Sequence, residues 1–255
     1  MKANPRRERI LEMLAGNGEV SVEMFVRELD VSVMTIRRDL AELSKKGKLS
    51  RTHGGAVLSR TGVIEFAFRE QANSRIAEKR AIAGAVAKMI EPGMAISLDT
   101  GSTTLEVARA IAGIPDLRVL TTSLAVASVL HTAENIDLIL TGGTVRKTSP
   151  DLMGDLAEEN LKMFRTNITV HGADAVTKDG VFAADVRISR ISRAMVENAE
   201  KVVLALDSSK FVKTSFVKSL SLSELDILVT DDGCSQETRR WLENEIKIVK
   251  IVKEG

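Results

Sequence analysis

The sequence predicts an α/β protein in two parts: a small helical unit carrying a β-hairpin, then a larger unit built on a mostly parallel sheet. Three observations lead there. Up to Leu58, apolar residues recur at helical spacing in three short runs and then fall into two strand-like segments around a Gly-Gly pair. From Ala95 onward, seven short apolar runs alternate with helical stretches, and strands that are apolar on both sides belong to a parallel sheet covered on both faces. Between Ser59 and Ser74 neither period holds, which places the boundary there.

Composition narrows the function classes. At 255 residues there is length for more than one domain, and 44 % hydrophobic with 28 % charged residues is ordinary for a globular protein. Aromatic residues make up only 3 %, with no Tyr, which argues against base-stacking surfaces for single-stranded nucleic acid. The lone cysteine, Cys234, permits no internal disulfide and reads as a small core residue. No run is apolar enough for a leader or a bilayer span, so the expected compartment is the cytoplasm. No pattern calls for a cofactor or a metal.

In chain order, Ile10, Leu11 and Leu14 mark a first helix from about Pro5 to Gly16, a proline being tolerated in an opening turn. Val22, Phe25, Val26 and Leu29 stand at i, i+3, i+4 and i+7 and mark a second. A turn over Asp30, Val31 and Ser32 follows. Ser32 is a good cap for a third helix reaching Lys46, Gly47 is a good stop, and Val33, Ile36, Leu40 and Leu43 are its expected buried side. Thr35, Arg37, Arg38, Lys45 and Lys46 are left to the other side, where they suit base edges and phosphates of double-stranded DNA. Two helices joined by a tight turn make a helix-turn-helix, and residues 48–58 around Gly54-Gly55 read as a hairpin wing. Residues 1–60 hold twelve lysines and arginines against eight acidic residues, whereas the remainder holds 24 against 27. The first part suits phosphate, and the modest excess implies a homodimer or higher oligomer presenting two such faces.

Thr35-Ile36-Arg37-Arg38-Asp39-Leu40, followed by Leu43, Gly47, Arg51 and His53-Gly54-Gly55-Ala56, resembles the signature of the DeoR family of bacterial transcriptional repressors. The resemblance implies a winged helix-turn-helix whose DNA-facing set is Ser32, Thr35, Arg37 and Arg38, with Arg51 and His53 on the wing near the DNA backbone. It implies residues 1–59 as the DNA-binding domain, 60–74 as a linker, and 75–255 as an effector-binding and oligomerisation domain.

In that second part, strands are expected at 95–98, 118–121, 137–141, 167–171, 201–206, 227–230 and 246–252. Ligands of such sheets sit past the carboxyl ends of the strands. The first end opens Asp99-Thr100-Gly101-Ser102-Thr103-Thr104, the second Thr122-Ser123, the third Gly142-Gly143 with Arg146, the fourth Asp174, and the fifth Asp207 to Lys210. Taken singly, each is a cap or a turn; together they offer hydroxyls, amide donors, carboxylates and a cation, a set suited to a phosphorylated sugar. The same loops resemble the DeoR effector domain, which implies a fold like ribose-5-phosphate isomerase and coenzyme A transferase. Two departures stand out: Thr122 replaces the Asn usual in the second loop, and the Gly-rich stretch after the fourth strand is altered to His171-Gly172-Ala173-Asp174.

The basic stripe Arg187, Arg190 and Arg193 reads as solvated or as a subunit contact. The function expected is a carbohydrate-operon repressor controlled by a phosphorylated sugar. The alternative is a sugar-phosphate isomerase with an appended DNA-binding module, using Lys210 with Asp174 or Asp99 as acid and base.

Overall fold

The structure, a computed structural model, describes residues 3–59, 71–147 and 149–253. Most of the expected linker, residues 60–70, lies outside the described residues. The chain divides into two compact units, with the main boundary between Gln71 and Ala72 and with Lys147 and Ser149 grouped with the first.

The first unit runs α1 (Ala3–Asn17), β1 (Glu19–Ser21), α2 (Val22–Leu29), α3 (Val33–Lys45), β2 (Leu49–Arg51) and β3 (Gly55–Leu58). Its antiparallel sheet has the order β1-β3-β2. The sequence reading has no β1, because three residues are too few to show a period. Gly55 makes that strand possible: a Cβ there would lie 2.2 Å from the Val20 carbonyl oxygen. Ser21 caps α2, accepting from Met24 N–H, and Asp30 closes it in the left-handed conformation at φ 49°. Ile10, Leu14, Phe25, Ile36, Leu40 and Leu43 form the core.

Two features of α3 depart from its sequence pattern. Val33, expected inside, is 45 % exposed, because it occupies the first helical position and projects beyond the core that begins at Ile36. Asp39, a charged residue, is buried at 1 % exposure. Its two carboxylate oxygens accept from Arg6 Nε at 2.6 Å and Arg7 Nε at 2.7 Å, which pins α3 to α1. A buried carboxylate is tolerated only when paired in this way.

The second unit is organised by a seven-stranded sheet of order β15-β14-β12-β9-β4-β5-β6, every neighbour parallel. The strands are β4 (Ala95–Leu98), β5 (Leu117–Thr121), β6 (Ile136–Leu140), β9 (Ile168–His171), β12 (Val202–Ala205), β14 (Ile227–Asp231) and β15 (Ile248–Val252). β9 and β12 are buried at every residue, as expected for strands covered on both faces. Helices α4 (Ile76–Ala87), α5 (Ser102–Ile111), α6 (Leu124–Leu130), α7 (Asp155–Lys162), α8 (Val186–Glu197) and α9 (Gln236–Glu245) complete the alternation. From β4 the chain adds β5 and β6 on one side, then returns to place β9, β12, β14 and β15 on the other. The order therefore reverses between β4 and β9, the position where sheets of this kind open a crevice at their carboxyl edge.

Two small antiparallel additions have no counterpart in the sequence reading. One is the hairpin β7 (Thr144–Val145) with β8 (Leu152–Met153). The other is the sheet of β10 (Ala175–Thr177), β11 (Gly180–Ala183) and β13 (Val217–Leu220). Their strands are too short or too irregular to show alternation. Cys234, read as core, is only half-buried, because it falls in the turn between β14 and α9.

Asp39→Ala should cost the first unit about 1–3 kcal/mol, the usual penalty for removing one partner of a buried polar contact. Urea unfolding of the full chain checks this; an unchanged first transition would show that the two arginines do not depend on Asp39.

Candidate functional site

On α3, Ser32 Oγ accepts from Thr35 N–H at 3.3 Å and lies 2.9 Å from Thr35 Oγ1, so the predicted DNA-facing hydroxyls are engaged with each other. Ser32, Arg37, Arg38, Lys45 and Lys46 are exposed, and Thr35 is half-buried. Arg51 and His53 are exposed on the β2–β3 hairpin. The basic side of α3 and the wing thus share one small unit whose opposite, apolar side is fixed by the core and by Asp39.

At the carboxyl edge of the second unit, the loop after β4 lies beside the reversal of strand order. Gly101 precedes α5 at φ 141°, and no side chain caps that helix. The opening amides of an α-helix have no intrahelical acceptor, so Ser102, Thr103 and Thr104 begin a helix without a capping side chain. All three are buried, with Thr104 Oγ1 donating to Gly101 O at 3.0 Å. Thr100 Oγ1 in the same loop is buried and has no hydrogen-bond partner.

Asp99 is 3 % exposed and fully committed. One oxygen accepts from Thr100 N–H at 2.7 Å; the other accepts from Ser192 Oγ at 3.1 Å and faces His171 Nδ1 at 3.0 Å. Behind it, Ser97 Oγ donates to Thr169 Oγ1 at 2.7 Å, which lies 2.9 Å from His171 Nε2. These directions agree with a single tautomer, in which Nε2 accepts from Thr169 and Nδ1–H donates to Asp99. The relay ties β4, β9 and α8 together, and it leaves Asp99 unsuited to the role of base that the isomerase alternative gave it.

The other predicted residues fall around this relay. Ser123 caps α6, accepting from Val126 N–H at 3.2 Å, and Thr122 is buried with its carbonyl taken by Leu152 N–H. Arg146 is bound through Nε and Nη2 to buried Asp151, at 2.7 and 2.5 Å, so it is a paired cation rather than an open one. Burial opposes the Arg146 charge, yet Asp151, then Asp185 and Asp174, raise its pKa. Gly142 and Gly143 turn at φ 72° and 116°, and a Cβ on Gly143 would lie 2.8 Å from Met153 O. Asp174 is exposed and accepts from Ala184 N–H at 2.8 Å. Lys210 is 9 % exposed in the turn after β12; burial lowers its pKa, Asp207 opposes this, Lys213 reinforces it, and Asp174 opposes it.

Sequence reasoning missed a second charged cluster. Asp231 accepts from Ser208 N–H at 2.6 Å, Ser208 Oγ at 2.7 Å, Gly233 N–H at 3.0 Å and Arg75 Nη2 at 3.0 Å. Lys79 is buried and donates to Ser74 O at 2.7 Å; burial lowers its pKa, Asp207 opposes this and Lys210 reinforces it. No local pattern announces this cluster, because Arg75 meets Ser208 and Asp231 across 133 and 156 residues of chain.

Burial would raise the Asp231 pKa, but hydrogen bonds from Ser208 and Gly233 and the Arg75 charge hold it below the usual carboxylate value. A depressed carboxylate adds stability that is fully present above its unfolded pKa of about 3.9 and lost as pH falls through the folded value. The stability gap between wild type and Asp231→Asn should therefore be constant near neutrality and shrink below about pH 4 in urea titrations. A gap that persisted unchanged to lower pH would contradict this.

Residues 6–61 match the DeoR-like helix-turn-helix domain, and residues 74–232 match the DeoR C terminal sensor domain. The chain is 35 % identical over 240 residues to the putative aga operon transcriptional repressor of Escherichia coli O157:H7, covering 93 % of this chain and 89 % of that protein. It is 34 % identical over 232 residues to the glycerol-3-phosphate regulon repressor of Escherichia coli strain K12, covering 91 % and 92 %. Among solved structures, ribose 5-phosphate isomerase A from Methanocaldococcus jannaschii is similar over 53 % of this chain and 54 % of that one, at 22 % identity and a TM-score of 0.40, a likeness that carries no argument about activity. With both domains matched and repressors similar along nearly its whole length, the chain belongs to the DeoR family of DNA-binding transcriptional regulators.

Proposed function

We propose that this regulator is a repressor of a carbohydrate catabolic operon, controlled by a phosphorylated sugar bound at the carboxyl edge of the second unit's sheet. Residues 1–59 bind operator DNA, 75–255 bind the effector and hold a homodimer or higher oligomer together, and 60–74 join them. DNA contact falls to Arg37 and Arg38 with Thr35 and the Ser32 cap, and to Arg51 and His53 on the wing. Helix-turn-helix proteins read two half-sites about one helical turn apart, which supports the oligomer.

The observation that carries the effector half is the unsatisfied donor set at the reversal of strand order. α5 opens there without a capping side chain, and Thr100 Oγ1 lacks a partner. Gly101 to Thr104 would hold the phosphate, as helix starts do. Burial disfavours the charge of both Lys79 and Lys210, with Asp207 opposing it in each case, and an arriving dianion would favour the charged forms further. Thr122, Ser123, Gly142, Gly143, Arg146 and Asp174 would border the sugar, with Asp99 holding the loop in place rather than touching the ligand. A relative named for a glycerol-3-phosphate regulon agrees with a phosphorylated polyol as the ligand class.

A thermal-shift screen of phosphorylated against unphosphorylated sugars tests the reading. A phosphorylated ligand at 100 times its dissociation constant should add about 2.7 kcal/mol of stability. Lys210→Ala should lose that gain while operator binding persists. The single Trp gives a second readout, since Trp241 packs edge-on to Phe211, next to Lys210, at 6.2 Å between ring centroids. Stabilisation by the unphosphorylated sugar alone, or a full response in Lys210→Ala, would overturn the assignment.

A further inference from the structure

The first turn of α3 exposes Val33 at 45 % and Met34 at 68 %, and these are the exposed large apolar side chains of the first unit among the described residues. Among the described residues, Val22, Met24, Val26, Val31 and Leu58 pack against the core instead. Residues three and four apart share a helix face, so Met34 stands with Arg37 and Arg38, both exposed. The helix cannot roll to hide the methionine, because Ile36, Leu40 and Leu43 are buried behind it and Asp39 is bonded to Arg6 and Arg7. The neighbouring Ser32 and Thr35 hydroxyls are hydrogen-bonded to each other, so Val33 and Met34 are the apolar part of this turn.

An apolar tip framed by cations fits one feature of duplex DNA. In the major groove each base pair shows donors and acceptors, but only thymine shows a methyl group, and apolar side chains read it by contact. The exposed Arg37, Arg38, Lys45 and Lys46 of the same helix supply the charge that brings a phosphate backbone alongside.

We propose that Met34, with Val33 beside it, packs against thymine 5-methyl groups in the major groove and makes operator choice depend on thymine at those positions. The inference rests on the DNA-binding reading above and adds to it the base that the apolar turn selects.

The test uses the full chain and a duplex selected by it from a randomised pool. Each thymine of that duplex is replaced in turn by deoxyuridine, which removes the methyl group and keeps every hydrogen bond. At one or two positions in each half-site, wild type should lose about fourfold in affinity, the worth of burying one carbon. Met34→Ala should bind the thymine and uridine duplexes equally, and Met34→Leu should restore the difference. A flat uridine scan with wild type, or an undiminished scan with Met34→Ala, overturns the proposal. So does a Met34→Ala protein whose oligomeric mass changes while its uridine scan does not, since the patch would then cover a second copy. If no duplex is enriched at all, the DNA-binding reading fails as well, and the two failures are thereby told apart.

Discussion

A carboxylate held away from water is costly unless it is hydrogen-bonded or paired, and each unit of this protein is held by one that is. In the second unit, Asp99 takes hydrogen bonds from the loop that follows it, from His171 at the end of β9 and from Ser192 on α8. That loop cannot shift without either leaving the charge unsatisfied or carrying a central strand and a helix with it. In the first unit, Asp39 performs the same service between α1 and α3. Removing Asp99 would leave His171 and Ser192 without that acceptor in a buried setting, and removing Asp39 would break the link between α1 and α3.

These links bear on how a sensor of this kind works. A ligand shifts an equilibrium only by the difference in its affinity for two states, so its binding site must belong to an element that is distinct in each. The site proposed above lies at the carboxyl ends of β4 and β9, so a ligand that tells two states apart would have to do so through the elements joined there. The Ser97–Thr169–His171–Asp99 relay and the loop that leads into α5 meet at Asp99. His171 and Thr122, two departures from the resembled family, both sit at this edge, buried at 1 % exposure. We therefore expect the effector's polar pattern to differ from that of relatives carrying an amide at the second loop.

Much of the fold was legible in sequence because periodicity is local. All seven strands of the parallel sheet and the helices between them follow from runs of Val, Ile and Leu alternating with amphipathic stretches. What stayed hidden was either very short, as with β1 and the β7–β8 hairpin, or depended on distant partners. Nothing near Asp151 announces that it binds Arg146, although they are five residues apart, because the hairpin between them is itself unforeseen. The place of Asp99 after a strand suggests a ligand contact, and its three donors, from Thr100, His171 and Ser192, are not visible in the sequence because two of them lie far along the chain. Val33 was read as core from its spacing, but spacing does not say where a core ends.

The most direct test of the account is reciprocity between its two sites. If effector changes operator affinity, operator must change effector affinity by the same factor, about 5–150-fold for ordinary couplings. Calorimetric titration of the effector into protein alone, and into protein saturated with operator duplex, measures this. The account predicts a changed dissociation constant, with a ratio equal to the one seen when operator is titrated with and without effector. An effector that binds equally well in both cases would contradict it, since such a ligand could not regulate.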